Sequence, residues 1–160
     1  MQTYLLILFI IGLALAPLWH FLPSKGQRKA ARMREHAAVQ GLFVEFRKLP
    51  GAETVAELSP SARGMVIYYG KRLPAARDDR VLSGNWVVGS DGWRSVGKRL
   101  PVPVEFQQLP EGILGAGVDR SSCGIYWTEA IGQQLETAAE EEIVGQIRQV
   151  LETWSGTIMR

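Results

Sequence analysis

Side chains that carry out covalent catalysis are scarce in this 160-residue chain. It contains one cysteine, Cys123, and two histidines, His20 and His36. A nucleophilic thiol or hydroxyl needs a base within hydrogen-bond reach, and neither histidine is close to Cys123 in sequence. We therefore interpret Cys123 as a small buried apolar residue on a strand. A single cysteine also excludes an internal disulfide and a zinc site built from several cysteines.

Other ligand-binding patterns are also missing. No cluster of histidine, cysteine and acidic residues has the spacing of a metal site, and no phosphate-binding loop of the G-x-x-x-x-G-K-[ST] type occurs. The acidic run of residues 140–142 is most simply a solvent-facing part of a helix. The sequence therefore predicts no catalytic residue, no cofactor and no metal.

Aromatic residues leave one binding alternative open. The chain has five tryptophans and four tyrosines, and Trp86, Trp93 and Trp127 lie in strand-like segments. A small-ligand site would need a concave pocket lined by Trp86, Trp93 or Tyr68 together with convergent polar groups. Packing of these rings between a sheet and a helix is the alternative that the sequence favours.

A group of basic residues can do a different kind of chemistry, the binding of phosphate groups. These residues recur at steps of three and four, which places them on one face of a helix. They are Lys25, Arg28, Lys29 and Arg32. Next to a bilayer, such side chains attract anionic lipid headgroups by about 1 kcal/mol each, or they serve only as a topology signal. Interleaved aromatic residues typical of a nucleic-acid surface are absent, so no nucleic acid is expected.

The helix that positions these residues has clear boundary signals. Ser24 and Gln27 fit a capping box at its start, and Gly41 fits a C-terminal cap. The sequence predicts a basic juxtamembrane helix over residues 24–41.

The segment before it is apolar. No charged residue precedes Lys25, and residues 4–22 form a nearly continuous apolar run of 19 residues. As a helix this run rises about 28 Å, close to the roughly 30 Å of a hydrocarbon core. We predict a transmembrane anchor within residues 1–23, with aromatic ends, a small-residue packing position and a proline kink. The anchor positions are Tyr4, Gly12, Pro17, Trp19 and Leu22.

Charge predicts the orientation of this anchor. Only the terminal amine precedes it, whereas several basic residues follow it closely, and basic flanks stay on the cytoplasmic side. Ala14 and Ala16 resemble a signal-peptide cleavage site, but the run lacks a basic start and continues beyond them. We therefore expect an uncleaved anchor in a bacterial inner membrane, with the N-terminus outside and the C-terminal domain in the cytoplasm.

The remaining residues, 42–160, have the pattern of one α+β domain. Strand-like runs cover residues 42–49, 65–69, 85–88, 93–96, 102–106, 113–118 and 123–127, separated by Gly, Pro and Asp-Gly turns. Apolar residues then recur at helical steps from Ile131 to Trp154. The predicted fold is α+β: one N-terminal transmembrane helix, a basic juxtamembrane helix, a mainly antiparallel sheet of about five to seven strands, and a long C-terminal amphipathic helix packed on it.

The N-terminal third resembles a known group of proteins. The order of a charge-poor span, then Pro23-Ser24 and Gln27-Arg28 in a basic helix, then residues 41–44 (Gly-Leu-Phe-Val), is similar to uncharacterised bacterial inner-membrane proteins, some of them identified as YajC-like preprotein translocase accessory subunits. The resemblance covers residues 1–49. It implies a small β-rich cytoplasmic domain near a translocon, although this chain has a longer middle and a long terminal helix.

These features together predict a single-pass inner-membrane protein with a cytoplasmic interaction domain. We expect a non-enzymatic accessory or scaffolding subunit whose partners are the lipid bilayer and a membrane protein. The alternative is a membrane-anchored domain that binds or transforms a small ligand.

Overall fold

A computed structural model describes residues 2–15, 24–51, 65–74, 83–128 and 137–159 of the chain. The described helices are α1 (Gln2–Leu15), α2 (Lys25–Val39) and α3 (Thr137–Ile158). The strands are β1 (Phe43–Lys48), β2 (Met65–Arg72), β3 (Gly84–Gly89), β4 (Gly92–Val96), β5 (Ile113–Val118) and β6 (Ser122–Trp127), and a 3₁₀ helix spans Val104–Gln108.

The six strands form one sheet in the order β1-β2-β6-β5-β3-β4, and every neighbouring pair is antiparallel. The sequence predicted this antiparallel sheet and its β3–β4 hairpin. Gly92 has a φ of +100°, a conformation that glycine adopts without strain. It therefore allows the tight Asp-Gly turn expected between the two strands.

The strand-like run at residues 102–106 is not a strand, because residues 104–108 form the 3₁₀ helix. Pro101 and Pro103 lack backbone N–H groups and cannot donate to a strand ladder. Instead, the Phe106 amide donates to the carbonyl of Pro103 at 3.2 Å. The short helix turns the Phe106 ring into the core, where 2% of the residue is exposed.

Helices α2 and α3 cover one face of the sheet. Phe106, Trp86 and Trp154 meet edge to face beneath α3, with ring centroids 4.9–5.8 Å apart. All three are almost fully buried, and such ring pairs add about 0.5–1.5 kcal/mol beyond their buried area. The predicted packing of the C-terminal helix on the sheet is therefore confirmed.

The opposite face of the sheet is built from tyrosines that lie over glycines. The ring of Tyr68 lies over Gly124, where an added Cβ would collide with it, and Tyr126 is the nearest side-chain ring to Gly117. The guanidinium of Arg47 lies 4.0 Å from the centroid of Tyr68, within cation–π range. Desolvation by burial raises the pKa of the Tyr68 hydroxyl, so this face is aromatic and uncharged beneath its arginine.

The prediction of an N-terminal transmembrane helix is wrong. Helix α1 has 14 residues and rises about 21 Å, which is shorter than a hydrocarbon core of roughly 30 Å. Within the described ranges, no helix combines the length and the apolar character that a membrane crossing requires. Three of the predicted anchor positions, Pro17, Trp19 and Leu22, lie outside the described residues.

The turn between β5 and β6 is closed by one carboxylate. Asp119 accepts four hydrogen bonds of 2.8–3.0 Å, two from the backbone amides and two from the hydroxyls of Ser121 and Ser122. Partial desolvation alone would raise the pKa of Asp119, but these hydrogen bonds outweigh it and hold the pKa below its usual value. The ionised carboxylate therefore stabilises the hairpin.

Asp119→Asn should lower the free energy of unfolding by about 1 kcal/mol at pH 7, a modest value because solvent screens this half-exposed group. Because the pKa of Asp119 is lower in the folded state, ionised Asp119 stabilises the fold at any pH above its unfolded-state pKa of about 3.9. This stabilisation is lost as the pH falls through the folded-state pKa. The difference between wild type and variant should therefore shrink below about pH 4. Urea unfolding of the full chain in a mild detergent measures both effects. Asp91→Asn, in the exposed β3–β4 turn, is the control and should change little at either pH.

Candidate membrane-contact surface

Helix α1 exposes apolar side chains in every direction. The large apolar residues from Tyr4 to Leu13 are between 48% and 75% exposed, and residues 4–11 are consecutive, so they surround the helix axis at about 100° per residue. These residues are Tyr4, Leu5, Leu6, Ile7, Leu8, Phe9, Ile10, Ile11 and Leu13. Surface helices of globular domains have one polar face, whereas α1 has none over these residues. Apolar exposure on this scale marks a contact with lipid or with another protein.

Helix α2 begins and ends as the sequence predicted. The Gln27 amide donates to the Ser24 hydroxyl at 3.2 Å, and the Ser24 amide donates to Oε1 of Gln27 at 2.9 Å. This capping box satisfies two of the helix-end donors. At the other end, Gly41 has a φ of +83° and donates to the carbonyl of Ala38.

These caps fix which residues of α2 point inward. Ala30, Met33 and Ala37 are buried at steps of three and four, and Met33 and Ala37 join the core cluster on the helix side of the sheet. These buried residues define the face of α2 that packs against the sheet.

The predicted lipid-contact residues divide between two surfaces of α2. Three of them, Lys25, Arg28 and Arg32, are exposed and form a basic stripe along the outer side. Lys29 is instead only 26% exposed, and its Nζ lies 3.5 Å from Oε1 of Glu140 on α3. The structure thus places three of the four where phosphate groups can reach them and uses the fourth to join two helices.

Glu140 corrects the interpretation of residues 140–142 as a solvated acidic face. Glu141 and Glu142 are exposed, but Glu140 is only 3% exposed. It lies in the first turn of α3, where the helix dipole favours negative charge. A cavity of about 50 Å³ adjoins it, lined by residues of both helices that include His36 and Arg32.

The sequence carried a signal for this buried carboxylate. Glu140 is the first member of a series that continues through Val144, Ile147, Leu151 and Trp154 at alternating steps of four and three. All members of this series are buried. An acidic residue on such an apolar stripe needs a cation opposite it, and Lys29 supplies that cation.

The structure brings no catalytic pair together among the described residues. Cys123 is fully buried, and desolvation raises the pKa of its thiol to about 12, so the reactive thiolate is suppressed. His36 lies on α2, and its Nε2 accepts a hydrogen bond of 2.6 Å from the side-chain amide of Gln40. In the described part of the chain, no group of three or more His, Cys, Asp or Glu residues can hold a metal ion.

The aromatic residues that could line a ligand groove are mostly core residues. Trp86, Trp127 and Tyr68 are each no more than 1% exposed. Trp93 is half-buried and lines a shallow recess of about 210 Å³ together with Phe106 and other apolar residues. Small-molecule sites usually measure about 300–1,000 Å³ and contain several convergent polar groups. Of the described residues that line this recess, only Glu111 is charged.

Comparison of the chain with protein-family models, curated proteins and solved structures gives no match. The resemblance of residues 1–49 to YajC-like inner-membrane proteins stays a prediction.

The Lys29–Glu140 pair gives an asymmetric mutational prediction. Lys29→Met strands a buried carboxylate and should cost about 2 kcal/mol of unfolding free energy. Glu140→Gln should cost about 1 kcal/mol, because the Lys29 ammonium can then turn to solvent. Urea unfolding of the full chain shows whether Lys29→Met lowers the free energy of unfolding more than Glu140→Gln does. Lys25→Met and Glu141→Gln, the exposed counterparts on the same helices, are the controls; equal costs at buried and exposed positions would refute the role of the pair.

Proposed function

We propose that this protein is a non-enzymatic, membrane-associated interaction domain that contacts lipid through α1 and through the basic stripe Lys25, Arg28 and Arg32. The observation that carries the proposal is the exposure of apolar side chains around α1. Each of these side chains gains about 1.5–3 kcal/mol when it is removed from water. An apolar contact for α1 is therefore strongly favoured.

Lipid is the contact that the adjoining charge supports best. The basic stripe follows α1 closely in the chain, and apolar burial combined with attraction to anionic headgroups is the usual way in which helices bind a membrane surface. Anionic lipids give the cytoplasmic leaflet a negative surface potential. We therefore propose that the domain works at the cytoplasmic face of a bacterial inner membrane.

An accessory or scaffolding role fits the rest of the domain. The thiol Cys123 is buried and the described pockets are small. Among the described strands, each of the two outermost strands pairs on one side only, and the helices carry exposed charged residues. These features support binding of a protein partner more than conversion of a small molecule. The resemblance over residues 1–49 makes a translocase-associated membrane protein one candidate for that partner.

Vesicle flotation tests the lipid contact directly. The full chain is synthesised in a cell-free system with vesicles of phosphatidylcholine alone or mixed with phosphatidylglycerol, and bound protein is recovered from the top of a density gradient. Lys25→Gln/Arg32→Gln should weaken binding to the anionic vesicles by about 30-fold, because about 1 kcal/mol is lost per basic residue. Leu8→Asp/Ile11→Asp should reduce binding to both vesicle types.

The matched control is Lys98→Gln/Arg99→Gln, which removes the same charge from an exposed loop after β4. This variant should float like the wild type. If wild type stays at the bottom of the gradient with both vesicle types, the proposed membrane contact is wrong. If the control weakens binding as much as the α2 variant, net charge and not the stripe is responsible.

A further inference from the structure

Strand β1 has one unpaired edge. The sheet order begins with β1, which pairs only with β2, and no strand of the described residues lies on its other side. The strand is six residues long and contains neither proline nor glycine. Natural edge strands are usually shortened, bulged, interrupted by proline or charged to prevent pairing with another chain. Strand β1 is charged at Glu45, Arg47 and Lys48 but is not shortened, bulged or interrupted by proline.

An exposed aromatic residue marks the middle of this edge strand. Phe46 is 57% exposed, and its ring lies on the helix side of the sheet, where the guanidinium of Arg34 is 5.1 Å from its centroid. Val44 and Lys48 share this face with Phe46, because side chains alternate along a strand. An apolar ring held at the centre of a free edge is a favourable position for contact with a similar ring.

The charges on the other face are self-complementary. Glu45 and Arg47 point to the tyrosine face of the sheet and pair with each other within the strand, with Nε of Arg47 2.9 Å from Oε2 of Glu45. Arg47 is also held in place by the ring of Tyr68 and by Asp119 at 3.9 Å. The position of the arginine is thus set before any partner arrives.

We propose that β1 pairs with the β1 strand of a second copy of this chain, antiparallel and centred on Phe46. A two-fold axis perpendicular to the sheet then places Phe46 opposite its own copy. It also places Glu45 opposite Arg47 of the second copy, and Val44 opposite Lys48. Both ion pairs cross the interface, and the two sheets join into one of twelve strands.

Symmetry selects this register over its neighbours. In a two-fold pair, opposite residues share a face of the sheet, so the axis must pass midway between one residue of β1 and the same residue of the second copy. Centring the pair on Glu45 would place two carboxylates opposite each other, and centring it on Arg47 would oppose two guanidinium groups. Like charges directly opposite each other destabilise a strand pair. The register centred on Phe46 replaces both repulsions with attractions.

The strand pair alone is smaller than a standard interface of about 1,200–2,000 Å². We therefore expect association that depends on protein concentration.

Crosslinking tests the register. A Val44→Cys chain and a Lys48→Cys chain are mixed in mild detergent and oxidised. Directly opposite residues lie about 4.5–5.5 Å apart between Cα atoms, which a disulfide spans. Mixed dimers should form in preference to dimers of either variant alone, since each position lies four residues away from its own copy. Wild type, whose Cys123 is buried, should not crosslink. Equal yields of crosslink in the mixture and in each cysteine variant alone would overturn the register.

A charge exchange tests the ion pairs. Glu45→Arg and Arg47→Glu should each weaken self-association by about tenfold, because like charges then face each other twice. The two variants should associate with each other, since both cross-strand pairs are restored in the mixture. Glu152→Arg and Arg148→Glu reverse another exposed ion pair, on α3, and should have no effect.

Association that ignores the charges at 45 and 47 would refute the proposal and would point to contact through α1 alone. If Arg47→Glu does not fold because its contact with Tyr68 is lost, crosslinking of the mixed Val44→Cys and Lys48→Cys chains still tests the register, since neither substitution removes a contact with Tyr68.

Discussion

The domain depends on burial of one face of the sheet beneath α2 and α3. Trp86 and Phe106 contact Trp154 of α3, and the buried residues Ala30, Met33 and Ala37 pack α2 against the same face of the sheet. Because α2 is fixed by this inner face, its outer basic stripe has a defined direction. The same packing requires Glu140 to be buried, and Lys29 is the residue that compensates its charge. The exposed basic stripe and the buried apolar residues of α2 are thus two sides of one helix.

Local signals predicted much of this fold. Alternating apolar residues gave the strands, the Asp-Gly pair gave the β3–β4 hairpin, and Ser24, Gln27 and Gly41 gave the ends of α2, because each depends on neighbours in the chain. The segment at Val104 was predicted as a strand because of its apolar residues, but its prolines prevent strand pairing. Hydropathy predicted a transmembrane helix because it measures apolar character alone, whereas no helix of the described residues has both the length and the apolar character of a membrane span.

The sequence also predicted only part of the candidate functional site. The basic residues of α2 were predictable as a stripe from their spacing, but the inward turn of Lys29 depends on α3, which lies far beyond it in the chain. Arg47 was missed as well. Its surroundings come from β2, β6 and the turn at Asp119, and no sequence motif brings these segments together. Contacts between residues this far apart in the sequence are determined by how the strands and helices are arranged in the fold, and a local sequence pattern does not predict them.

The tyrosine face restricts how this chain can diverge. Tyr68 occupies the space that a side chain at position 124 would need, and Asn85 and Tyr126 crowd position 117. At position 117 the closest atom is the side-chain Oδ1 of Asn85, so a larger residue there requires a smaller residue at 85. At position 124 the backbone carbonyl of Tyr69 is also in the way, and no side-chain exchange removes it. Descendants of a common ancestor should therefore keep Gly124 and show paired exchanges at 85 and 117, even after the apolar N-terminal residues have been replaced freely by one another. These glycine positions would then be a more durable signature of kinship than the hydrophobic segment at the N-terminus.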